Sequence, residues 1–197
     1  LSAKHWPTTI TLAEFSQSTQ TDSFPIYLNQ YIKNDVLEVM ANGSLNYTVK
    51  GIYMGMKVTW NYMPPVHGGD TFTSIKKGSK ATLKIVQNEK NGFVKELYIQ
   101  KKPNIDSHAF ETQLQKTIEQ LQESYPFLSV KNKSNGIYLI DIPQEYRLGH
   151  EEHFSKVAKA FLHYIRNKNI PEWENENTLT KYYITTTAVE MAKKENK

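Results

Sequence analysis

After Gly51 the chain alternates for eleven residues: Ile52, Met54, Met56, Val58, Trp60 and Tyr62 fall on one side, and Tyr53, Gly55, Lys57, Thr59 and Asn61 fall on the other. A period of two over that length cannot sit on a helix; it requires a strand with one apolar and one more polar face. Such a strand belongs to an antiparallel sheet with one packed face, and everything else in the chain must supply its neighbours and its cover. Pro64-Pro65 stops it.

The neighbours are legible on both sides. Upstream, residues 36–41 read as a strand, Asn42-Gly43 as a hairpin turn and residues 44–50 as the returning strand. Residues 71–77, a Gly78-Ser79 turn, residues 80–87, a loop around Asn91-Gly92 and residues 93–100 read as a meander, giving a sheet of about six strands. The stretch before residue 36 reads as loop and short helix, with Thr11 and Glu14 at capping-box spacing and Pro25 opening a second short helix.

Past Pro103 the period becomes helical, with Phe110, Leu114, Ile118 and Leu121 on one stripe and Asp106 or Ser107 as cap. Residues 128–131 and 137–142 are short strands around Asn135-Gly136. Phe154, Val157, Ala158, Phe161, Leu162 and Ile165 mark an amphipathic helix, and a last helix is expected over about 178–192 before a fraying Lys/Glu tail. The expected fold class is α+β, an open, mainly antiparallel sheet with helices packed on one face.

Composition narrows the function classes. Hydrophobic residues at 39% allow a packed core, and no run approaches the ~20 apolar residues that span a bilayer. With Cys at 0, thiolate nucleophiles, disulfides and Cys-ligated metals are excluded. The net charge of +4 comes almost wholly from Lys, with Arg only at 147 and 166, so a solvated Lys surface fits better than nucleic-acid binding. The opening Leu1-Ser2-Ala3-Lys4-His5-Trp6-Pro7 suits a secreted protein after cleavage as well as a domain cut from a longer chain, so localisation, cytoplasmic or exported, stays open.

No dinucleotide or phosphate fingerprint is present: Gly51 and Gly55 fall in a strand pattern, and Gly68-Gly69 precede a strand. His150 and His153 in Gly-His-Glu-Glu-His-Phe miss the zinc-protease spacing by one, and a helix start with an acidic first turn is the preferred reading. The loop His67-Gly68-Gly69-Asp70 is the most site-like: its His and Asp can hydrogen-bond a polyol or act as acid and base, or Asp70 can simply close a turn. Glu38, Asp70, Glu96 and Asp141 are available carboxylates without a known separation. Trp60 alternates with core residues and reads as core; Trp173, between two Glu and after a Pro, suits an exposed position or, preferred, a wedge between helices. Asn42, Asn46 and Asn132 each begin a short glycosylation pattern.

Several segments in order carry a resemblance: Trp6-Pro7-Thr8, Ala41-Asn42-Gly43 with Asn46-Tyr47-Thr48, Val58-Thr59-Trp60-Asn61, Gly69-Asp70-Thr71 and Gly78-Ser79-Lys80-Ala81. Gly149-His150-Glu151 with His153-Phe154, Pro171-Glu172-Trp173-Glu174, Lys181-Tyr182-Tyr183 and Thr185-Thr186-Thr187 continue it. Together they resemble the C-terminal domain of bacterial oxidoreductases of the glucose–fructose oxidoreductase and inositol dehydrogenase (Gfo/Idh/MocA) superfamily.

The resemblance implies that residues 1–197 form one C-terminal substrate-binding and oligomerisation domain. It implies an upstream Rossmann domain, absent from this chain, that carries the NAD(P) cofactor and the lysine of the family's Glu-Lys-Pro motif, with the catalytic His and Asp near the junction, before the point where this chain begins. No catalytic, cofactor-binding or metal residue is therefore expected here. The expected substrate contacts are His67, Asp70 and Thr71 on the loop, with Lys57 and Asn61 on the more polar strand face. Relatives tend to carry His-Tyr after Gly-Asp-Thr, where this chain has Phe72-Thr73, a change that puts substrate contact at this point in doubt.

The resulting expectation is part of an NAD(P)-dependent oxidoreductase acting on a sugar or polyol, homo-oligomeric through the sheet face. The alternative is a non-catalytic carbohydrate-binding or assembly module. That same polar face serves either substrate or a second subunit, and Lys57 distinguishes them, because a fully buried interface must provide its charge with a partner.

Overall fold

A computed structural model describes residues 1–63 and 67–195; Pro64-Pro65, Val66 and the last two residues of the Lys/Glu tail lie outside them. The α+β character is as expected, but the strands divide between two sheets instead of forming one. Two compact units result, one made of Leu1–Pro64 with His163–Lys197 and one of Pro65–Leu162.

In the first unit, β1 (Ser2–Thr11) lies antiparallel along β3 (Val36–Val49), so the stretch expected to be loop is an edge strand. Sequence reasoning missed it because Pro7 breaks the alternation. The structure absorbs that proline in a bulge: the register slips between Trp6 and Thr8, where a missing N–H costs no ladder bond. On the other side of β3, β2 (Ile32–Lys33) pairs near its start and β4 (Ile52–Val58) pairs along its second half. Thr11 caps α1 (Leu12–Thr19) with Glu14 in the expected reciprocal box, and Ile26–Tyr31 is a 3₁₀ turn after Pro25.

Asn42-Gly43 is no hairpin turn; both residues are extended within β3. Asn42 is 8% exposed, and its side chain closes a ring of hydrogen bonds. Its Nδ2 donates to Thr8 Oγ1 at 2.9 Å and the Trp6 carbonyl at 3.2 Å, while its Oδ1 accepts from the Trp60 N–H at 2.8 Å. Thr8 Oγ1 donates in turn to the Trp60 carbonyl at 2.6 Å. The reversal comes at Lys50-Gly51 instead, where both residues have positive φ, as a two-residue hairpin demands.

Register assigns the faces. Ala3, Leu45, Tyr47, Met54 and Met56 share one side, and α4 (Glu172–Glu195) lies on it. Ala3 and Leu45 meet Ala188 and Ala192, with Tyr47, Ile184 and Met191 around them. Small side chains at i and i+4 let this helix approach the sheet closely. The helix starts at Glu172, directly after Pro171, several residues earlier than the sequence suggests. Its cover does not extend fully over β4, whose Ile52, Met54, Met56 and Val58 stay exposed in this chain.

The second unit is a five-stranded antiparallel sheet ordered β5 (Phe72–Lys77), β6 (Ala81–Gln87), β7 (Glu96–Lys101), β9 (Ile137–Asp141), β8 (Ser129–Ser134). The expected meander and the Asn135-Gly136 hairpin are both present, the latter with φ of 50° and 72°. One face carries Ile85, Leu97, Ile99, Tyr138 and Ile140 in register. Over it lies α2 (Ser107–Gln122), capped by Asp106, with Phe110 against the Tyr138 ring and Ile118 buried. Each sheet thus carries a helix on one face. The remaining helix, α3 (His150–Asn167), opens with the Gly149 N–H donating to Glu152 at 2.7 Å.

Candidate functional site

The expected substrate contacts fall in different units. Lys57 and Asn61 belong to the first, His67, Asp70 and Thr71 to the second.

On the first sheet, Lys57 stands opposite Ser44 on the face that also carries Ser2, Lys4, Trp6, Asn46, Thr48 and Tyr53. The Lys57 ammonium lies 5.6 Å from the centre of the Trp6 ring, a cation–π geometry that holds the charge without neutralising it. Gly55 has a specific reason to be glycine: a Cβ there would sit 3.0 Å from the Asn46 Oδ1, and the Asn46 amide donates to Ser2 Oγ at 3.2 Å. The face is rich in hydroxyl and amide groups, with Ser2, Lys4, Thr48 and Tyr53 exposed and Trp6, Ser44 and Asn46 half-buried. Asn61 follows β4 and is exposed, as is the half-exposed Trp60, which the sequence placed in the core. Trp60 packs edge-on against Tyr62 at 5.5 Å, and the Tyr62 and Ser18 hydroxyls are hydrogen-bonded.

On the second unit, His67 adopts φ of 62°, so the loop enters β5 through a left-handed residue that is not glycine. Gly69 lies flat on Phe93, where an added Cβ would come within 2.9 Å of the ring. That close approach explains the glycine and anchors the loop to the turn after β6. His67, Asp70 and Thr71 are exposed. Phe72, at the position where the resembled family tends to carry His, pairs with Gln87 at the start of β5, and the Lys95 ammonium lies 5.4 Å above its ring.

Sequence reasoning missed a third feature. A shallow depression of about 270 Å³ between α2 and the β8–β9 hairpin is lined by Glu111, Leu114, Gln115, Val130, Asn132 and Tyr138. Glu111 Oε1 accepts from the Tyr138 hydroxyl at 2.8 Å and the Asn132 amide at 3.3 Å. Burial, reinforced by the Glu111 carboxylate, pushes the Tyr138 phenol up to about 12. In β7, Tyr98 is also raised to about 12, chiefly because its hydroxyl donates to Glu96 at 2.6 Å. No local motif joins Glu111, Asn132 and Tyr138 in sequence; α2 brings the first to the β8–β9 pair that holds the other two.

Among the described residues, no group of three His, Asp or Glu side chains lies close enough to hold a metal ion, and His150 and His153 project from the exposed first turn of α3. No helix among them is long and apolar enough to cross a membrane. The glycines do not fit a dinucleotide: Gly51 closes a hairpin, Gly55 accommodates Asn46 and Gly69 packs on Phe93. No strand, glycine turn and helix N-terminus come together around any of the three.

The solved structure of a "putative oxidoreductase" from Parabacteroides merdae ATCC 43184 matches with a TM-score of 0.95 and 39% sequence identity, covering 99% of this chain and 44% of that one. This chain therefore spans less than half the length of that relative. No curated protein matches. Residues 1–193 match the family described as "Putative oxidoreductase C terminal domain". The chain belongs to this oxidoreductase C-terminal domain family.

Proposed function

We propose that this chain is the substrate-binding and dimer-forming C-terminal part of an NAD(P)-dependent oxidoreductase acting on a sugar or polyol. The carrying observation is the match of nearly the whole chain to less than half of a longer oxidoreductase-like protein. The nicotinamide, held by the preceding domain, supplies the redox chemistry. This chain supplies hydrogen-bonding groups and shape. Lys57 and Asn61 on the polar face, or His67, Asp70 and Thr71 on the loop, meet hydroxyl groups of the substrate. The amides and hydroxyls around Lys57 suit a polyol better than an apolar ligand.

The same polar face is the surface through which a second copy would pair. Lys57 already sits against Trp6, so burying it needs an acceptor from the other subunit or the retained indole contact. Whichever role the face has, removing the Lys57 charge separates the two. Lys57→Ala raises KM in the parent enzyme if the face binds substrate, and shifts the monomer–dimer equilibrium if it pairs subunits.

A thermal-shift titration with NAD(H) and NADP(H), run on this chain and on the longer parent, tests the reading. A saturable rise is expected for the parent only, worth about 2.7 kcal/mol at a hundredfold excess over Kd. A rise with this chain alone, or none with the parent, overturns it.

A further inference from the structure

The depression between α2 and the β8–β9 hairpin belongs wholly to the second unit, as do the hydrogen bonds that shape it. Its polar groups have spent their protons on carboxylates, which can only accept. Tyr138 gives its O–H to Glu111 Oε1 and keeps lone pairs alone. Asn132 donates through Nδ2 to the same oxygen, and this fixes the orientation of its amide. Gln115 Nε2 donates to Glu119 at 3.2 Å and fixes that amide likewise. Among the described residues no hydrogen bond uses Asn132 Oδ1, Gln115 Oε1 or Glu111 Oε2, and no Lys or Arg forms an ion pair with Glu111. Leu114 and Val130 supply the apolar part of the lining.

We propose that this depression binds a small organic cation, a primary ammonium group carried on an alkyl chain or a sugar ring. The lining offers acceptors and one uncompensated negative charge, and an ammonium group has three donors and no acceptor. A carboxylate or phosphate would meet lone pairs and the Glu111 charge. An apolar ligand would strip water from Glu111 and give nothing back. Hard metal ions take about six oxygens or more, which a lining with Leu114 and Val130 in it does not provide. A neutral polyol can donate, but its hydrogen bonds to Glu111 lack the charge assistance that an ammonium adds. The carbon body of such a cation rests on Leu114 and Val130. Size agrees: about 270 Å³ lies just under the range of about 300–1,000 Å³ typical of small-molecule sites, which suits a short alkylamine or a single sugar ring. The proposal requires neither the upstream domain nor its cofactor.

Titrating butylammonium chloride into this chain, followed by amide NMR, tests it. The expected result is a saturable shift confined to Leu114, Gln115, Val130, Asn132 and their neighbours. Butanol, the same body without the charge, should bind roughly tenfold or more weaker. Glucosamine binding tighter than butylammonium points to an amino sugar and the reverse to an alkylamine; either supports the site. Glu111→Gln keeps an acceptor for Tyr138 and Asn132 and should weaken butylammonium binding by roughly tenfold or more. Gln115→Lys leaves Glu111 in place and sets an internal ammonium one turn along α2, in the Glu-to-Lys order that helices favour. It should abolish binding without lowering the melting temperature. No saturable shift, the same shift from potassium chloride at equal ionic strength, equal affinity for butanol, or binding indifferent to both variants overturns the proposal. None of these readouts involves NAD(P), so this site and the proposed function stand or fall separately.

Discussion

Asn42 shows how one side chain substitutes for a stretch of missing ladder. The bulge opposite Pro7 leaves backbone groups of Trp6 and Trp60 in need of partners, and the amide of Asn42 has a donor for one and an acceptor for the other. Asn42→Ala should cost about 2 kcal/mol in a urea melt, because it strands the Trp60 N–H as well as losing the bonds themselves. Asn42→Asp should be at least as damaging, since it sets a carboxylate against the Trp6 carbonyl. A second residue-scale expectation concerns pH. Tyr98 and Tyr138 are held near 12 in the folded chain against an ordinary value of 10.0. Between those values the unfolded chain binds fewer protons than the folded one, so stability is intact below about pH 10 and falls as pH rises towards 12. Ultraviolet titration of tyrosinate should show two of the twelve tyrosines ionising late. Glu111→Gln should bring Tyr138 only part of the way back, because burial is the larger cause of its shift.

The two Asn-Gly pairs at 42–43 and 135–136 look alike in sequence and differ completely as elements. Gly136 has φ of 72° and lies close to Lys101, so Gly136→Ala should cost on the order of 1–2 kcal/mol. Gly43 is extended, and an added Cβ would make only an ordinary 3.5 Å contact with the Lys4 carbonyl. Gly43→Ala should therefore be neutral or slightly stabilising in the same melt. This pair marks what was legible and what was not. Strands, helices, the capping box at Thr11 and the meander follow from local period and turn chemistry, and these were readable. The turn propensity of Asn42-Gly43 was overridden by a tertiary demand for its side chain. The strand β1 was hidden by a proline whose cost only a bulge in the partner strand can remove. Of the candidate site, His67, Asp70, Thr71, Lys57 and Asn61 could be singled out by residue type, but their division between two units depends on long-range pairing. The Glu111–Tyr138 depression depends on it too.

At the scale of the whole molecule the units differ in how the chain enters them. The second is drawn from one continuous segment, while the first joins the beginning of the chain to its end, through α4 against β1. On the ribosome this ordering matters. Residues 67–162 can complete their sheet as they emerge, but Ala3 and Leu45 must wait for Ala188 and Ala192, which are made long after them. Until then the first sheet presents a bare apolar face, a period in which chaperones would find it and other nascent chains could stick to it. A chain ending at residue 171 should reproduce that stalled state. Limited proteolysis should cut its first 63 residues quickly while sparing a core within residues 67–162, and equal resistance of both parts would show that the sheet does not need the helix. Synthesis speed over α4, more than any single contact, would then set how much of this protein reaches its folded state.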